Sequence, residues 1–449
     1  MRSRVIGLLL SCSAVAAPAA AQNVPQQLSL DDAIRIAREN NPAYLQALND
    51  IEVEDMAVRN RWAAFLPTAS GNLNFGGNYN SRLTAEDEFG QPVERPERLI
   101  TEGSSSNQTL NLSMTLFDGG RSIANLRAAR ATRDATTTRV DLERHRLETS
   151  VARDYFAAVK AEKLIELEQQ LLAARVDELD RTQRLLSLAS SKYVDVLSAR
   201  VNVADAERSL DNARAGAQKA RLALLQRMGV QGDLAFTLAT APPEIFDPAR
   251  IDAEQLVSRA IQSSPMVRGA EAELIVQSRQ VSAAKGSRWP TISASANLSR
   301  GINGPGYGYM GEFNPDANRS FGFGIGVSVP LFNRFSTSLD IVRASAAELD
   351  AREEVRAQKL AVEHGVRSAL IDLGNAYRGV QMAQRKVDLS REQLRAAEEE
   401  YRLGAMTFIN LQQIINSAAA AERQLLDAQF NFLDNLILLE QQVGSKLER

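Results

Sequence analysis

Hydrophobic and polar positions alternate with period two in four stretches of this chain, and follow a three-to-four spacing through most of the rest. Leu73, Phe75 and Tyr79 alternate with Asn72, Asn74 and Asn78. Leu110, Leu112, Met114 and Leu116 alternate with Asn111, Ser113 and Thr115. Ile292, Ala294, Ala296 and Leu298 form a third stripe, and Phe321, Phe323, Ile325, Val327 and Val329 a fourth, opposed by Gly322, Gly324, Gly326 and Ser328. Period two with one apolar and one small polar face predicts half-buried strands at about 68–79, 107–117, 291–302 and 320–331. Each is about 10–12 residues, the length that crosses an outer membrane when tilted. The faces opposite the stripes carry almost no charge, which suits a narrow polar lumen better than a soluble sheet.

The helical pattern is long and uninterrupted. Between Arg121 and Leu188 there is neither Pro nor Gly, predicting a helix over about 119–188 that spans roughly 100 Å. Its counterpart covers about 335–402. There Val366, Leu370, Leu373, Tyr377 and Val380 make a coiled-coil seam, continued by the mixed set Gln384, Val387, Arg391, Leu394, Glu398 and Tyr401. On the first long helix Leu172, Val176, Leu179 and Leu186 lie beside Leu164, Leu167 and Leu171. Two stripes predict packing on two sides, as a stave packs in a cylinder wall. Ala-rich return helices follow at about 192–228 and 406–443. Shorter helices precede each strand pair, the first opening on the capping-box-like Ser29-Leu30-Asp31-Asp32, broken at Pro42 and ended at Pro67.

The pattern is written twice. Ala204-Asp205-Ala206-Glu207-Arg208-Ser209-Leu210 returns as Ala419-Ala420-Ala421-Glu422-Arg423-Gln424-Leu425, and Leu116-Phe117-Asp118 as Leu331-Phe332-Asn333. Pro67-Thr68 returns as Pro290-Thr291. The halves, 22–240 and 241–449, meet at Ala241-Pro242-Pro243 and differ in length only between the members of each strand pair. The fold class is α+β, mainly α, with two internal structural repeats.

Composition narrows the function. Residues 1–21 read as a signal peptide, with Arg2 and Arg4 before an apolar stretch and Ala19-Ala20-Ala21 at the cleavage site. The only cysteine, Cys12, lies inside it; lipidation there is the lesser alternative to cleavage, which leaves no disulfide. A formal net charge of −3 gives no basic footprint for nucleic acid. His145 and His364 sit in charged helical stretches, and no metal-ligand, nucleotide or nucleophile spacing occurs. No cofactor, metal or catalytic activity is expected.

The residues resemble the TolC-like outer-membrane efflux protein family (outer membrane factor). The carriers are Leu30-Asp31-Asp32-Ala33-Ile34, Asn40-Asn41-Pro42, Phe65-Leu66-Pro67, Leu116-Phe117-Asp118-Gly119-Gly120-Arg121 and Tyr401-Arg402-Leu403-Gly404. The resemblance spans about residues 28–444. It implies a homotrimer whose protomers each give four strands to a single twelve-stranded outer-membrane β-barrel, continuing into a long periplasmic α-helical barrel. It also implies the role of exit duct for a tripartite efflux pump or type I secretion system in a Gram-negative bacterium. The implied partners are a periplasmic adaptor (membrane fusion) protein, an inner-membrane transporter of RND, ABC or MFS type, and outer-membrane lipid. A periplasmic coiled-coil adaptor or scaffold is the alternative, which leaves the strand pairs unexplained.

The same resemblance assigns sites. Leu188 and Ala189, and Leu403, Gly404 and Ala405, map to adaptor-docking tips; Ala189 stands where a Gly is usual. Asp195 and Tyr401 map to the periplasmic gate, with a Tyr hydroxyl to carboxylate bond expected between them. Asn410 and Gln413 stand where relatives carry an acidic pair, so this constriction is neutral and divalent cations should block it weakly. Asp118, Gly119, Gly120 and Asn333 form the barrel–helix junctions. Loops at about 80–106 and 303–320 are expected outside the cell.

Overall fold

Elements begin and end where prolines, glycines and capping side chains demand it. A computed structural model describes residues 25–86, 88–89, 91–188, 191–231, 236–239, 244–308, 318–445 and 447. The signal peptide with Cys12, the Ala241-Pro242-Pro243 connector and Ala189 lie outside the described residues. In chain order the first half contains β1 (Gln27–Leu28), α1 (Leu30–Asn40), α2 (Pro42–Ala63), β2 (Thr68–Glu86), β3 (Pro92–Phe117), α3 (Arg121–Ser187) and α4 (Tyr193–Met228). The second contains β4 (Thr237–Leu238), α5 (Ala253–Ser263), α6 (Pro265–Gly286), β5 (Thr291–Pro305), β6 (Asn318–Ser328), α7 (Ser336–Arg402) and α8 (Phe408–Val443). Both long helices have 67 residues and both return helices 36. The first strand pair runs well past its apolar stripe, so most of the stretch expected as a loop at 80–106 is β-hairpin.

The chain forms two compact units, each built from matching pieces of both halves. The first contains 1–47, 141–264 and 361–449. Here α3 lies between α4 and α8, and α8 in turn meets α7. Arg227–Asp154 (2.8 Å) and Arg221–Glu162 (2.6 Å) tie α4 to α3. Arg153–Asp434 (2.6 Å) ties α3 to α8, and Arg391–Glu422 (2.7 Å) ties α7 to α8. The more exposed of these pairs, such as Arg153–Asp434, contribute at most about 1 kcal/mol each and act mainly as register marks. The cohesion comes from buried Val151, Tyr155, Leu224, Met228, Leu373, Phe432, Leu436 and Leu439. Alanines at 199, 213, 217, 418, 419 and 421 are buried on the return helices and allow close approach. The short parallel pair β1–β4 is held down by the Tyr155 hydroxyl, which donates to the carbonyls of Leu28 (3.1 Å) and Ala239 (2.9 Å).

The α7 seam is regular once its phase is corrected. Val380, Ala383, Val387, Ala397 and Ser390 are buried, whereas Gln384 and Arg391 are exposed. Large residues alternate with Ala or Ser at steps of three and four, so the small residues, not the charged ones, complete the seam. On α3 the expected stripe also shifts: Val176 is 47 % exposed, while Glu168, Arg175, Glu178 and Thr182 are buried.

The second unit contains 48–140 and 265–360. Its four-stranded antiparallel sheet runs β2-β3-β5-β6, with β2 and β6 as open edges. One face carries Leu73, Phe75, Tyr79, Leu110, Leu112, Leu298, Phe321, Phe323, Ile325 and Val327, all largely exposed. The other face is Asn, Ser, Thr and Gly. Three asparagines lie opposite glycines in register: Asn78–Gly103, Asn107–Gly301 and Asn297–Gly322. A Cβ on those glycines would sit 2.5–2.6 Å from the facing asparagine Oδ1, so each amide lies over its neighbour's bare backbone. Below the sheet the helices repeat one neighbour order: Arg133–Asp55 (3.0 Å) joins α3 to α2, and Lys359–Glu271 (2.8 Å) joins α7 to α6. None of the described helices is long and apolar enough to cross a membrane.

Candidate gate, tips and barrel–helix junctions

The tip of the second helical hairpin, in the first unit, is set by Gly404. Its φ of 74° is left-handed, the Gly404 N–H donates to the Tyr401 carbonyl (3.0 Å) and the Ala405 N–H to Glu400 (2.8 Å). That is a Schellman ending, which satisfies the last carbonyls of α7 and reverses the chain. Thr407 then caps α8, its hydroxyl accepting from the Asn410 N–H at 3.4 Å. Leu403 is 70 % exposed at the point of the turn, and Leu188 is 72 % exposed at the other tip. Both tips therefore present apolar side chains to solvent, and nothing lies within 4 Å of a Cβ built on Gly404.

Asp195 caps α4. Its Oδ2 accepts from the Lys192 N–H (3.1 Å) and from the Ser191 hydroxyl (3.2 Å). Ser191 is also hydrogen-bonded to the Tyr401 hydroxyl. Within the protomer Ser191, a residue absent from the sequence-derived site, stands between the two, bonded to the Tyr401 hydroxyl and donating to Asp195. Burial pushes the Tyr401 pKa above the ordinary value, as do the nearby Asp195 and Glu178 carboxylates, against the Ser191 bond. The Tyr401 ring stacks at a tilt against buried Phe408, 6.1 Å between centroids. Asn410 and Gln413 are exposed on α8.

The same helices carry a polar layer that hydrophobic periodicity does not reveal. Arg175 donates to Gln412 Oε1 (2.7 Å) and to Asn416, and Asn202 donates to the same Gln412 oxygen (2.8 Å). Arg423 clasps Glu168 with two bonds of 2.5 and 2.8 Å. Glu178 Oε1 and Gln412 Nε2 are buried without a partner. Burial lowers the pKa of Arg175 and raises that of Glu178; for Glu178, Arg181 and Arg175 pull downward and Glu398 pushes upward. Buried polar groups left partly unsatisfied in a helix bundle cost stability.

The junctions lie in the second unit. Asp118 is 8 % exposed and accepts from the Ser122 N–H (2.8 Å) and hydroxyl (2.5 Å), capping α3. Gly119 has φ 70°, and a Cβ there would meet the Gly286 carbonyl oxygen at 2.4 Å and Trp289 Cβ at 2.5 Å. At the matching second-half junction Asn333 donates to Thr337 Oγ1 (2.5 Å). Arg334 (φ 54°) and Phe335 (φ 61°) occupy the left-handed conformations that Gly119 and Gly120 hold in the first half. Among the described residues no group of three or more His, Asp or Glu is gathered as metal ligands would be.

Comparison with known proteins agrees with this architecture. The sequence profile of the outer membrane efflux protein family matches residues 33–230 and 256–445. The chain is 20 % identical over 429 residues to the outer membrane protein TolC of Vibrio cholerae, covering 92 % of this chain and 90 % of that one. It is 27 % identical to protein CyaE of Bordetella pertussis, covering 77 % and 69 %. Its structure superposes on that of the CusC channel with a TM-score of 0.76 at 19 % identity, covering 93 % of this chain and 92 % of the other. The profile spans most of both halves, and the four-stranded sheet, paired long helices and helical hairpins are those of the shared fold; the chain belongs to the outer membrane efflux protein family.

Proposed function

We propose that the chain is the passive exit duct of a tripartite efflux pump or type I secretion system in the outer membrane, working as a homotrimer and carrying out no catalysis. The observation that carries this reading is the open sheet. Its apolar face is exposed, its other face is uncharged and polar, and both edge strands lack partners. Four strands cannot close on themselves, and backbone groups at an open edge cannot stay unpaired in lipid. Three copies joined β6 to β2 remove every edge, turn the apolar face to lipid and enclose a polar bore. A periplasmic adaptor or scaffold has no use for such a sheet.

The helical tips then receive a periplasmic adaptor, with the Leu403-Gly404-Ala405 turn as the stronger site and Leu188 on the other hairpin, fed by an RND, ABC or MFS transporter. Asp195 and Tyr401 hold the periplasmic end closed through Ser191, and Asn410 and Gln413 narrow it with neutral side chains. Asn410→Asp should therefore increase block by added divalent cations in planar bilayers. Strong block of the unmodified channel would place an acidic ring elsewhere. Outer-membrane fractionation with the mass of the detergent-solubilised protein tests the whole reading. A trimer in the outer membrane is expected, and a soluble periplasmic monomer would overturn it.

A further inference from the structure

The two halves pair their strands in one register. The hairpin pairs from Thr68↔Ser113 to Asn78↔Gly103 return as Thr291↔Ser328 to Gly301↔Asn318, so each position in one half has a counterpart in the other. Between the hairpins lies a seam inside the chain, β3 on β5 and, beneath it, α3 on α6. The counterparts of β3 and α3 are β6 and α7, and those of β5 and α6 are β2 and α2. Each free side of the protomer therefore carries half of a second such seam.

Burial marks those half-seams as open. Helices α2 and α6 are both 22 residues long and match end for end, yet α6 buries Val267, Val276, Val281 and Gly286 and α2 buries nothing. Val276 is 4 % exposed and its counterpart Val53 65 %. On the long helices, Ala124 and Ala131 of α3 are buried, whereas the matching Leu339 and Ala346 of α7 are exposed. The chemistry differs as well. The α3–α6 cleft, of about 350 Å³, is lined by Arg127, Asp134 and Arg279. Their counterparts are Val342, Leu349 and Met56, all apolar and exposed. A surface facing water has no reason to exchange three charges for three apolar groups, whereas a covered one has.

We propose that β6 and α7 of one protomer lie against β2 and α2 of a second copy in the register of the intrachain seam, and that this outer seam is dry where the inner one is charged. Carried over pair for pair, the register sets Val327 opposite Leu73 of the partner subunit and Phe321 opposite the partner's Tyr79. It lays Phe323 over the bare backbone of the partner's Gly77. Below the sheet, Val342 and Leu349 close on the partner's Val53 and the partner's Met56. The inner seam joins two parts of one chain and needs no association free energy, so charges can line it. The outer seam must hold separate chains and draws on apolar burial. It presupposes the duct reading and adds to it the residues that meet and the reason the two joints differ.

Cys12 is the only native cysteine, so introduced pairs report on the seam alone. Val327→Cys with Leu73→Cys, and Ser328→Cys with Asn72→Cys, probe neighbouring positions of the register, one of which has the closer Cα spacing that favours a disulfide. After oxidation of the full-length protein in outer-membrane vesicles, at least one pair should give covalent dimers and trimers on a non-reducing gel. Ile325→Cys with Leu73→Cys, two residues out of step, should give none. Links only in the out-of-step pair, or in no pair, would overturn the register. Val342→Arg with Met56→Arg writes the inner charges into the outer seam and should lose the detergent-solubilised trimer. Arg127→Val with Arg279→Met makes the reverse change in the inner seam and should keep it. A trimer equally stable with the two added arginines would overturn the dry seam and leave lipid as the cover of Val342 and Met56. No trimer from the unmodified chain would defeat the duct reading itself; a trimer joined in another register would defeat only this inference.

Discussion

Tyr401→Phe tests the gate with the smallest change available. It removes one hydroxyl and leaves the ring against Phe408, whose centroid is 6.1 Å away. What is lost is the bond to Ser191, which itself donates to Asp195 at 3.2 Å. A neutral hydrogen bond of this kind contributes about 1 kcal/mol net. Three protomers acting together would shift the closed-to-open balance by about 3 kcal/mol, roughly a hundredfold. Planar-bilayer recording of the purified trimer should show the open frequency rising on that scale with single-channel conductance little changed. Because burial and the neighbouring carboxylates raise the Tyr401 pKa, the hydroxyl stays protonated at neutral and mildly alkaline pH, and the effect should not vary between about pH 5 and 9. Ser191→Ala should reproduce it, and the double variant should add little, since both changes break one relay. Unchanged gating in Tyr401→Phe, or strictly additive effects of the two substitutions, would refute the relay.

Glu178→Gln should change the pH dependence of stability. Burial holds the folded carboxyl above its ordinary value of 4.5, so its contribution is complete below that value and is lost as pH rises through the folded pKa. The variant should therefore melt higher than the parent at pH 8 and equally at about pH 4; the same melting shift at both values would show that Glu178 does not retain its proton. Gly119→Ala should destabilise by more than about 2 kcal/mol, adding left-handed strain to a backbone clash, whereas Arg334→Gly at the matching turn should be neutral or stabilise by up to about 1 kcal/mol; urea midpoints measure both, and equal losses would mean the turns differ in more than their glycines. Gly404→Asp should abolish transport in cells while trimer and membrane insertion persist, with Gly404→Asn as the uncharged control; normal transport at normal expression would remove this turn from the docking surface.

The strands, the duplicated frame and the turns were legible because each is governed by local rules. Period-two alternation fixes which way Leu110 and Asn111 point whatever the partner strand. Ser29 caps α1 with its own neighbour, donating to Asp32 Oδ2 at 2.6 Å and accepting its N–H at 3.1 Å, and Gly119 and Gly404 take the left-handed geometry that only glycine adopts freely. The polar layer on α3 was not legible. Arg175 and Glu178 look like solvated charges, but Gln412 and Asn416 of α8 come to meet Arg175, and Asn202 of α4 donates to the same Gln412 oxygen. The α7 seam failed for a related reason: Ala383, Ser390 and Ala397 are weak hydrophobic markers, so the larger Gln384 and Arg391 set the wrong phase. The Arg334–Phe335 turn gave no signal, because a residue type that avoids left-handed backbone was required there by the duplicated fold and not by its own preference.

The three asparagine–glycine pairs of the sheet have a direction. Asn78 leans from β2 onto β3, Asn107 from β3 onto β5, and Asn297 from β5 onto β6, always toward the next strand of the sheet. In a three-fold barrel these three amides of each protomer would be combed one way around the circumference. A side chain lying down occupies the neighbour's backbone shadow instead of the bore, so at these three positions the wall stays hydrogen-bonding to the touch without narrowing the lumen by a full side chain. A passing molecule meets amides and hydroxyls that replace lost water without fixing its charge. The outermost stretch of the duct is thereby a poor place to select cargo, and selection falls to the machinery that loads it.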